Sequence, residues 1–313
     1  MQRNFWYDKS VFVTGDTGFL GSHLVRFLKK SNANVVTLGS RSLSDNSDIR
    51  NFNAICAVMK KTKPFACYHL AGKAIVEDGQ NLPYDTFNTN ILGTLNILEA
   101  SRIFNIERII IASTAQVYGN IKTPAREFNP PRPTRPYETS KTAVDLIAQS
   151  YADTYDLPVL IPRFVNTYGP GDLNMSRVIP KTIQSILNNV APSLWGGNAK
   201  REYLYIDDTI HALDLLGRMN RTQIKKNRII NFGSDDAITV KDLMKKILFI
   251  SNASLRLKNI DDERKMEIKK QVVSWSKAKR LLGWYPKTTL DVGLKKTVDW
   301  YREYYGGTND STN

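Results

Sequence analysis

Three glycines spaced three residues apart constrain the fold of this chain more than any other feature. They stand in Gly15-Asp16-Thr17-Gly18-Phe19-Leu20-Gly21, between the apolar run Val11–Thr14 and the helical pattern Ser22–Lys30. Glycines at this spacing let the backbone turn tightly and let a helix pack closely on a strand. The N–H groups at the start of the helix can then bind phosphate, so the segment predicts a dinucleotide-binding turn.

Strand and helix patterns alternate through the first half of the chain. Short β-branched runs predict buried strands at Val11–Thr14, Val35–Leu38, Ala66–His69, Arg108–Ser113 and Val159–Pro162. Apolar residues at helical spacing predict helices at Ser22–Lys30, Phe52–Lys61, Thr86–Arg102 and Thr139–Tyr155. Because such alternation produces parallel strands with right-handed crossovers, we predict an α/β fold with a doubly wound parallel (Rossmann) sheet.

The amino-acid composition changes after Pro170, where prolines, aromatic residues and charged residues become more frequent. We therefore predict a dinucleotide-binding domain over residues 1–170 and a smaller C-terminal substrate-binding lobe over residues 171–305. A late strand near 228–232 is expected to return to the first sheet. The tail, residues 306–313, is expected to be disordered.

The net charge of +14 is concentrated in the last third of the chain, where 21 lysines and arginines outnumber 11 acidic residues between Arg218 and Asn313. This excess suits a polyanionic ligand such as a sugar nucleotide, or a basic solvated surface without a partner. We do not expect nucleic acid as a partner, because the motifs already provide for an anionic ligand.

Several classes of protein are not expected from this sequence. It shows no charged stretch followed by an apolar run of secretory type, and no apolar run near the roughly 20 residues that a membrane span needs. Its two cysteines, Cys56 and Cys67, have neither metal-ligand spacing nor partners for a disulfide framework. We expect a cytoplasmic protein with reduced thiols, no membrane association and no metal site.

Further segments match one known family, in order, along nearly the whole chain. They are Asp48-Ile49, His69-Leu70-Ala71-Gly72, Asn90-Ile91-Leu92-Gly93-Thr94, Ser113-Thr114-Ala115-Gln116-Val117-Tyr118-Gly119 and Tyr137-Glu138-Thr139-Ser140-Lys141. With the GxxGxxG spacing of the first turn, they resemble the extended short-chain dehydrogenases/reductases, the family of NAD(P)-dependent nucleotide-sugar epimerases and dehydratases. The resemblance implies an enzyme that acts on a nucleotide-diphosphate sugar with NAD(P) as its cofactor.

The cofactor site that the resemblance implies is built from the first turn, the ends of the next strands and the catalytic helix. Its residues are Gly15, Thr17, Gly18, Phe19, Leu20, Gly21, Ser40, Arg41, Asp48, Ile49, Leu70, Ala71, Gly72, Asn90, Tyr137 and Lys141. NAD-specific sites usually carry an acidic residue after the second strand. Here Gly39-Ser40-Arg41 follows that strand and suits a 2′-phosphate, so we favour NADP(H) over NAD. The alternative is that Arg41 faces solvent or stacks on adenine without selecting.

Thr114, Tyr137 and Lys141 are the predicted catalytic residues. Tyr137 and Lys141, four residues apart, share one helix face, where the positive charge of the lysine lowers the pKa of the phenol. Tyr137 can then take a proton from a sugar hydroxyl. The resemblance adds that Lys141 holds the nicotinamide ribose and that the Thr114 hydroxyl hydrogen-bonds the reacting oxygen of the substrate.

Two later segments contain the residues that are expected to bind the substrate. The stretch Pro162-Arg163-Phe164-Val165-Asn166-Thr167-Tyr168-Gly169-Pro170-Gly171-Asp172 resembles the family's R-x-x-N-x-Y-G-P-G, which places Asn166 on the substrate diphosphate. Lys200-Arg201-Glu202-Tyr203 makes Arg201 a candidate diphosphate clamp, and Arg177 is a second, since guanidinium groups suit bidentate phosphate binding. Thr114 completes the predicted substrate-binding set.

Hydride chemistry at sugar C4 is common to the family, and the residues after Thr114 bear on the later steps of the reaction. Dehydratases carry an acid/base pair there, whereas this chain has Ala115-Gln116, which cannot ionise. We favour a nucleotide-sugar 4-epimerase over an NADPH-dependent 4-keto-sugar reductase, and both over a 4,6-dehydratase. A dinucleotide-sensing regulatory protein is the alternative from another class, but a sensor has no need of Thr114, Tyr137 and Lys141.

The helices predicted at Thr86–Arg102 and Thr139–Tyr155 carry extra apolar residues. In the family the corresponding helices form the four-helix bundle of a dimer, so the resemblance implies a homodimer. The alternative is that the apolar side is buried within one chain.

Overall fold

The computed structural model describes residues 4–38, 48–122, 124–260 and 267–306. Its strands are β1 (Ser10–Thr14), β2 (Asn34–Thr37), β3 (Ala66–His69), β4 (Arg108–Ile111), β5 (Ser113–Thr114), β6 (Val159–Phe164), β7 (Asn166–Tyr168), β8 (Ser193–Trp195), β9 (Lys200–Tyr205), β10 (Ile229–Phe232), β11 (Ala237–Thr239), β12 (Lys258–Ile260) and β13 (Lys270–Gln271). Its α-helices are α1 (Phe19–Lys30), α2 (Phe52–Thr62), α3 (Val76–Asn81), α4 (Pro83–Phe87), α5 (Gly93–Ile103), α6 (Pro136–Tyr155), α7 (Val178–Leu187), α8 (Ile206–Arg218), α9 (Arg221–Lys226), α10 (Val240–Ile250), α11 (Ser276–Leu282) and α12 (Leu290–Gly306).

The larger sheet is parallel and runs in the order β2-β1-β3-β4-β6-β10, with β5 also paired to β6. The predicted doubly wound parallel sheet is confirmed. From β1 the chain moves outward to β2 and then returns to the other side of β1 as β3. Ligands of open α/β sheets bind outside the carboxyl ends of the strands at such a reversal of strand order. The fold therefore directs attention to the carboxyl ends of β1 and β3.

Helices cover both faces of this sheet, which explains the nearly continuous apolar runs of its strands. Val11 and Val13 of β1 belong to the core cluster that includes residues of α1 and α8. Phe12, which points the other way, belongs to the cluster that includes residues of α2, α5 and α6. Each strand thus contributes alternate side chains to two separate cores.

The C-terminal lobe is built around β9, which pairs with β7, β11 and β13, while β8 pairs with β12. Helices α7 and α12 both pack against α10. After β6 the chain leaves the large sheet, and it returns as α8, which packs on α1, and as β10, which pairs with β6. This β10 occupies the place of the strand predicted near 228–232.

The helix predicted at Thr86–Arg102 is interrupted. A π-helical turn, Asn88–Leu92, separates α4 from α5. Asn90 lies within it, and its side chain bonds the backbone of Lys73: Oδ1 accepts from the Lys73 N–H at 2.8 Å, and Nδ2 donates to the Lys73 carbonyl at 3.1 Å. A π turn changes the direction of the side chains that it carries, which accounts for the break.

Two further findings concern the C-terminal residues and the possibility of membrane-spanning helices. The predicted tail lies outside the described residues except for Gly306, which ends α12. Across residues 4–38, 48–122, 124–260 and 267–306, no helix combines the length and the apolar character needed to cross a membrane.

A buried ion pair joins β6 to α6. Arg163 donates to Asp145 from Nε at 2.8 Å and from Nη2 at 3.0 Å, and both side chains are at most 2% exposed. Ser113 Oγ donates to the same carboxylate at 3.0 Å, and Arg163 Nη1 donates to Tyr118 Oη at 2.8 Å. Because these groups satisfy one another, β5, β6 and α6 are held together directly behind Thr114.

We expect the loss of one partner of this pair to destabilise the protein more than the loss of both. Asp145→Leu leaves the Arg163 cation buried without its carboxylate, which should lower the free energy of unfolding by about 3–5 kcal/mol. Adding Arg163→Met removes the stranded charge and should restore about half of that loss. Urea unfolding measures both variants. A double variant no more stable than Asp145→Leu would contradict this account.

Candidate active site

The glycine turn between β1 and α1 lies against the segment that follows β3. Gly15 has a φ of +75°, and a Cβ there would come within 2.7 Å of the Ala71 backbone nitrogen. A Cβ on Gly21 would collide with the Gly15 carbonyl oxygen. Gly18 caps α1 and has no side chain to bond the first-turn N–H groups, which stay directed towards the turn. The turn therefore has the shape and the donors that a pyrophosphate needs.

The predicted cofactor residues that the structure describes fall on five segments. The glycine turn and the first turn of α1 hold Gly15, Thr17, Gly18, Phe19, Leu20 and Gly21; Leu70, Ala71 and Gly72 follow β3; Asp48 and Ile49 precede α2; Asn90 lies in the π turn; and Tyr137 and Lys141 lie on α6. Ser40 and Arg41 lie outside the described residues, so the preference for NADP(H) stays a prediction.

Asp48 and Ile49 are engaged by neighbouring residues. The Asp48 carboxylate accepts from Arg50 Nε at 2.9 Å, and this hydrogen bond lowers the pKa of Asp48. Ile49 is buried over Gly93, where a Cβ would collide with its side chain. Asp48 therefore lies at the surface with its charge paired, and Ile49 packs the start of α5 against the segment before α2.

Gly72, Asn90 and Lys141 meet beside the glycine turn. A Cβ on Gly72 would lie 2.7 Å from Asn90 Oδ1 and 3.8 Å from Lys141 Nζ. Besides its two bonds to the Lys73 backbone, Asn90 donates from Nδ2 to Ser140 Oγ at 2.9 Å. Asn90 therefore clamps the loop after β3 to α6.

Tyr137 and Thr114 lie together at the carboxyl edge of the sheet. Tyr137 lies in the first turn of α6 and is 7% exposed, and Thr114 ends β5 and is 8% exposed. The Thr114 hydroxyl is near enough to the Tyr137 phenol to lower its pKa, and Thr114 Oγ1 accepts the Gln116 N–H at 3.2 Å. One oxygen atom of a substrate can therefore contact both hydroxyl groups, as proton transfer to Tyr137 would require.

A charge that acts on Tyr137 comes from the C-terminal lobe. Burial raises the pKa of Tyr137, whereas the positive charge of Arg177 and the nearby Thr114 hydroxyl lower it. Lys141 donates from Nζ to the Ala112 carbonyl at 3.0 Å, and burial lowers its pKa to about 8. The charge of Arg177 is thus one cationic influence on the phenol, and the influence expected of Lys141 stays a prediction.

Arg177 is held where three parts of the molecule meet. Its Nη1 donates to Asp172 Oδ2 at 3.0 Å, and its guanidinium lies 5.9 Å from the centre of the Phe19 ring at the start of α1. Tyr301 of α12 donates to the Asp172 carbonyl. Arg177 therefore links the glycine turn and Tyr137 to the lobe.

A second arginine approaches α6 near its first turn. The buried Glu138 carboxylate accepts from Arg135 Nε at 2.8 Å and caps the helix next to Tyr137. Arg201 of β9 interacts with both of these charges and donates from Nη2 to Glu267 at 3.3 Å. Asn166 lies on β7, which pairs with β9. The three predicted diphosphate residues thus lie on the lobe, and the charges of Arg177 and Arg201 both act on residues at the start of α6.

Comparison with known proteins assigns the chain to a family. A sequence model of the NAD dependent epimerase/dehydratase family matches residues 11–233, well over half of the chain. This chain belongs to the NAD-dependent epimerase/dehydratase family. It is 29% identical to the UDP-glucuronate 4-epimerase of Thermodesulfobacterium geofontis, in an alignment that covers 93% of this chain and 95% of the relative.

Solved structures agree with this assignment. The Thermotoga maritima UDP-glucose 4-epimerase with UDP-glucose superimposes with a TM-score of 0.87 at 28% identity, over 95% of this chain and 99% of that one. The Streptomyces venezuelae dTDP-glucose 4,6-dehydratase with NAD gives a TM-score of 0.84 at 28% identity, over 95% and 98%. The resemblance to the extended short-chain dehydrogenases/reductases is thereby confirmed: the chain is an enzyme of this family, and its cofactor is NAD(P).

Two residues of this epimerase/dehydratase-family site escaped the sequence analysis. Gly79 of α3 lies against Tyr137, and a Cβ there would come within 3.1 Å of Tyr137 Cβ and 3.2 Å of its backbone nitrogen. Asp172 orients Arg177 from the end of a glycine-proline loop. A glycine inside a short polar helix was the single local signal for Gly79, since such glycines often mark close packing.

We expect Gly79→Ala to lower kcat by about tenfold, because its methyl group must displace the backbone of Tyr137 and misplace the phenol. Dinucleotide binding should change by less than about twofold, since the glycine turn is untouched. Steady-state kinetics and fluorescence titration with the dinucleotide measure the two quantities. Gln80→Ala, at the exposed neighbouring position, is the matched control. An unchanged kcat in Gly79→Ala would show that Tyr137 does not depend on this contact.

Proposed function

We propose that this chain is a nucleotide-sugar 4-epimerase. The observation that carries the proposal is the chemistry of the site next to Thr114. Thr114, Tyr137 and Lys141 suffice for one reversible proton transfer, and the following residues, Ala115 and Gln116, cannot ionise. Removal of water across sugar C5 and C6 needs a further acid and base. Inversion at C4 uses a single proton-transfer group twice, which is what this site supplies.

In the proposed reaction Tyr137, as the phenolate, accepts the proton of the C4 hydroxyl. It returns the proton when that hydroxyl is formed again, after the 4-keto sugar has turned its other face to the hydride. A bound nicotinamide supplies the acceptor and then the donor of the C4 hydride. Thr114 hydrogen-bonds the C4 oxygen and so aims it at Tyr137. Lys141 binds the nicotinamide ribose, and Arg177 favours the phenolate by its charge.

The substrate diphosphate is proposed to bind Asn166, Arg177 and Arg201. Each guanidinium is oriented by a carboxylate, Arg177 by Asp172 and Arg201 by Glu267, so little side-chain freedom is lost on binding phosphate. The UDP-glucose in the Thermotoga maritima enzyme supports a nucleotide-diphosphate sugar as the substrate class.

The amide of Gln116 supports a binding role at this position. Its Oε1 is buried and has no hydrogen-bond partner among the described residues. A buried acceptor without a partner is unfavourable until a donor reaches it, and a sugar hydroxyl is such a donor.

A reductase of nucleotide-4-keto-sugars is the second candidate. It is favoured by Gly39-Ser40-Arg41, which offers no carboxylate to a ribose 2′-OH. The same residues carry our proposal that NADP(H) is preferred over NAD. The NAD bound to the Streptomyces venezuelae dehydratase supports the opposite choice.

The first test identifies the dinucleotide and the product. The purified protein is denatured, and any released dinucleotide is identified by mass spectrometry. Fresh protein is then incubated with UDP-glucose, UDP-glucuronic acid and dTDP-glucose, and in a separate reaction with a nucleotide-4-keto sugar and NADPH. We expect proton NMR to show the C4 epimer of one of these sugars. A 4-keto-6-deoxy sugar would replace the epimerase by a dehydratase. An NADPH-dependent loss of a 4-keto sugar, without epimer, would replace it by a reductase.

Tyr137→Phe should lower kcat by at least about 100-fold, because the phenol is the group that transfers the proton. Dinucleotide binding should be retained, since the ring still fills its place. Tyr155→Phe, which alters an exposed tyrosine at the other end of α6, is the control and should be fully active. Substantial activity in Tyr137→Phe would exclude the mechanism.

We also propose that the enzyme is a homodimer. Leu92 of the π turn, Leu95 and Ile103 of α5 and Leu146 of α6 are exposed, although α5 and α6 pack side by side. Neighbouring exposed apolar residues on two helices suit a second copy of the same surface, which would complete a four-helix arrangement.

We expect Leu95→Glu combined with Leu146→Glu to convert a dimer into a folded monomer. Each substitution occurs in both subunits, so a two-fold interface would bury two copies of each charge. Light scattering after size-exclusion chromatography measures the mass. Phe249→Glu changes a side chain that is 83% exposed on α10 and should leave the dimer intact. A monomeric unsubstituted protein, or a double variant that stays dimeric, would contradict this assignment.

A further inference from the structure

His69 is a buried titratable residue that the mechanism above does not use. It ends β3, is 3% exposed, and lies at the carboxyl edge of the sheet below the glycine turn. Both of its ring nitrogens have partners. Nδ1 is 2.8 Å from Thr14 Oγ1, and Nε2 is 3.1 Å from Thr94 Oγ1. A buried ring with two threonine partners is well defined in orientation, and its hydrogen-bond pattern can be worked out.

His69 lies in a series of hydrogen bonds, and the groups at the two ends of this series determine the direction of each bond. At one end the Ala71 N–H, which can only donate, bonds Thr14 Oγ1 at 3.3 Å. At the other end the Asn90 carbonyl, which can only accept, bonds Thr94 Oγ1 at 2.7 Å. The Thr94 oxygen therefore accepts from His69 Nε2–H, and the Thr14 hydroxyl donates to His69 Nδ1. The neutral Nε2–H tautomer is the form that satisfies every group.

The surroundings oppose a second proton on the ring. Burial, helped by the positive charge of Lys141, lowers the pKa of His69 to about 3. A proton on Nδ1 would also remove the acceptor to which the Thr14 hydroxyl donates. His69 therefore stays neutral at the pH at which Tyr137 and Lys141 act.

The hydrogen bonds lead from His69 in two directions, here called the Thr14 arm and the Thr94 arm. The Thr14 arm ends at the glycine turn, and the Thr94 arm ends at α6. The Thr14 arm holds Ala71, the residue whose backbone lies against Gly15 of the glycine turn. The Thr94 arm holds the carbonyl of Asn90, whose side chain donates to Ser140 Oγ. Ser140 Oγ in turn donates to the Tyr137 carbonyl at 2.7 Å.

We propose that His69, as its neutral Nε2–H tautomer, is a positioning residue that sets the cofactor turn through Thr14 and the catalytic helix through Thr94. In this proposal it acts through its hydrogen bonds to Thr14 and Thr94. Its effect on turnover rests on the function proposed above, whereas its tautomer and its effect on dinucleotide binding do not.

Two substitutions separate the arms, because the Asn amide overlays the Nδ1 side of an imidazole and the Gln amide overlays its Nε2 side. His69→Gln keeps a donor for Thr94 and loses the acceptor for Thr14. We expect it to weaken dinucleotide binding by about tenfold with kcat nearly unchanged. His69→Asn keeps the acceptor for Thr14 and loses the donor for Thr94. We expect it to lower kcat by about tenfold with dinucleotide binding nearly unchanged.

Thr14→Val and Thr94→Val remove the same two arms from their other ends and should reproduce the same division. His211→Asn, on α8, is the matched control and should change neither quantity. A merely structural role would lower the stability of all four site variants without dividing Kd from kcat, and that result would overturn the proposal.

The unsubstituted enzyme provides a test that does not depend on folding of a variant or on turnover. The chain has three histidines, so ¹⁵N-histidine labelling gives a simple spectrum. We expect one ring, identified by its loss in His69→Gln or by its contacts to Thr94, to hold the Nε2–H tautomer without titrating between about pH 5 and 9. An Nδ1–H tautomer, or a mid-range titration of that ring, would overturn the proposal even if the epimerase assignment stood. Failure of the epimerase assignment would leave these spectra and the dinucleotide Kd values unaffected.

Discussion

A contact between two stretches of backbone holds the carboxyl ends of β1 and β3 together, and the rest of the site is arranged around it. Gly15 leaves no room for a side chain between itself and Ala71, and Gly21 brings α1 onto the same turn. The contact falls where the strand order reverses, which is where an open α/β sheet leaves a crevice for a ligand. A side chain at either glycine would separate α1 from β3 and open the phosphate turn, so the glycines determine geometry rather than merely permit it.

Buried polar groups fix the positions of further elements relative to the large sheet. Behind Thr114 the Arg163–Asp145 pair fixes β5 against α6. Between the lobe and the large sheet, Glu202 of β9 accepts backbone N–H groups from Ser234 and Asp235, just after β10, and from Val273. Each group would be unfavourable alone in the interior, and each is satisfied by several partners from separate elements. Such groups specify one arrangement of the elements, which apolar packing by itself does less well.

Much of the fold could be predicted because it rests on local patterns. The strand Ala66–His69 was predicted at its observed bounds. Its four apolar or aromatic residues form the continuous run that is typical of a strand covered on both faces of a sheet. The strand predicted at Arg108–Ser113 is divided at Ala112, whose N–H bonds the His69 carbonyl and whose carbonyl accepts from Lys141. That division depends on residues brought from other elements, and the π turn around Asn90 arises in the same way.

The candidate site could be predicted only as far as its motifs reach. Thr114, Tyr137 and Lys141 belong to recognisable segments, whereas the action of Arg177 on Tyr137 and the contact of Gly79 with Tyr137 join distant positions that no spacing relates. Such relations are fixed by how the lobe and α3 dock on α6. A single sequence gives the residue types that can take part, but not which of them the docking brings into contact.

Burial shifts the pKa values of Tyr137 and Lys141, both on α6, in opposite directions. It raises the pKa of Tyr137 and lowers that of Lys141, so both are pushed towards their neutral forms. A guanidinium stays charged where a lysine can lose its proton, and the charge of Arg177 lowers the pKa of Tyr137. Arg177 is oriented by Asp172, and the backbone of Asp172 is bonded by Tyr301 of α12. A helix near the far end of the chain thus helps to hold the guanidinium whose charge lowers the pKa of Tyr137.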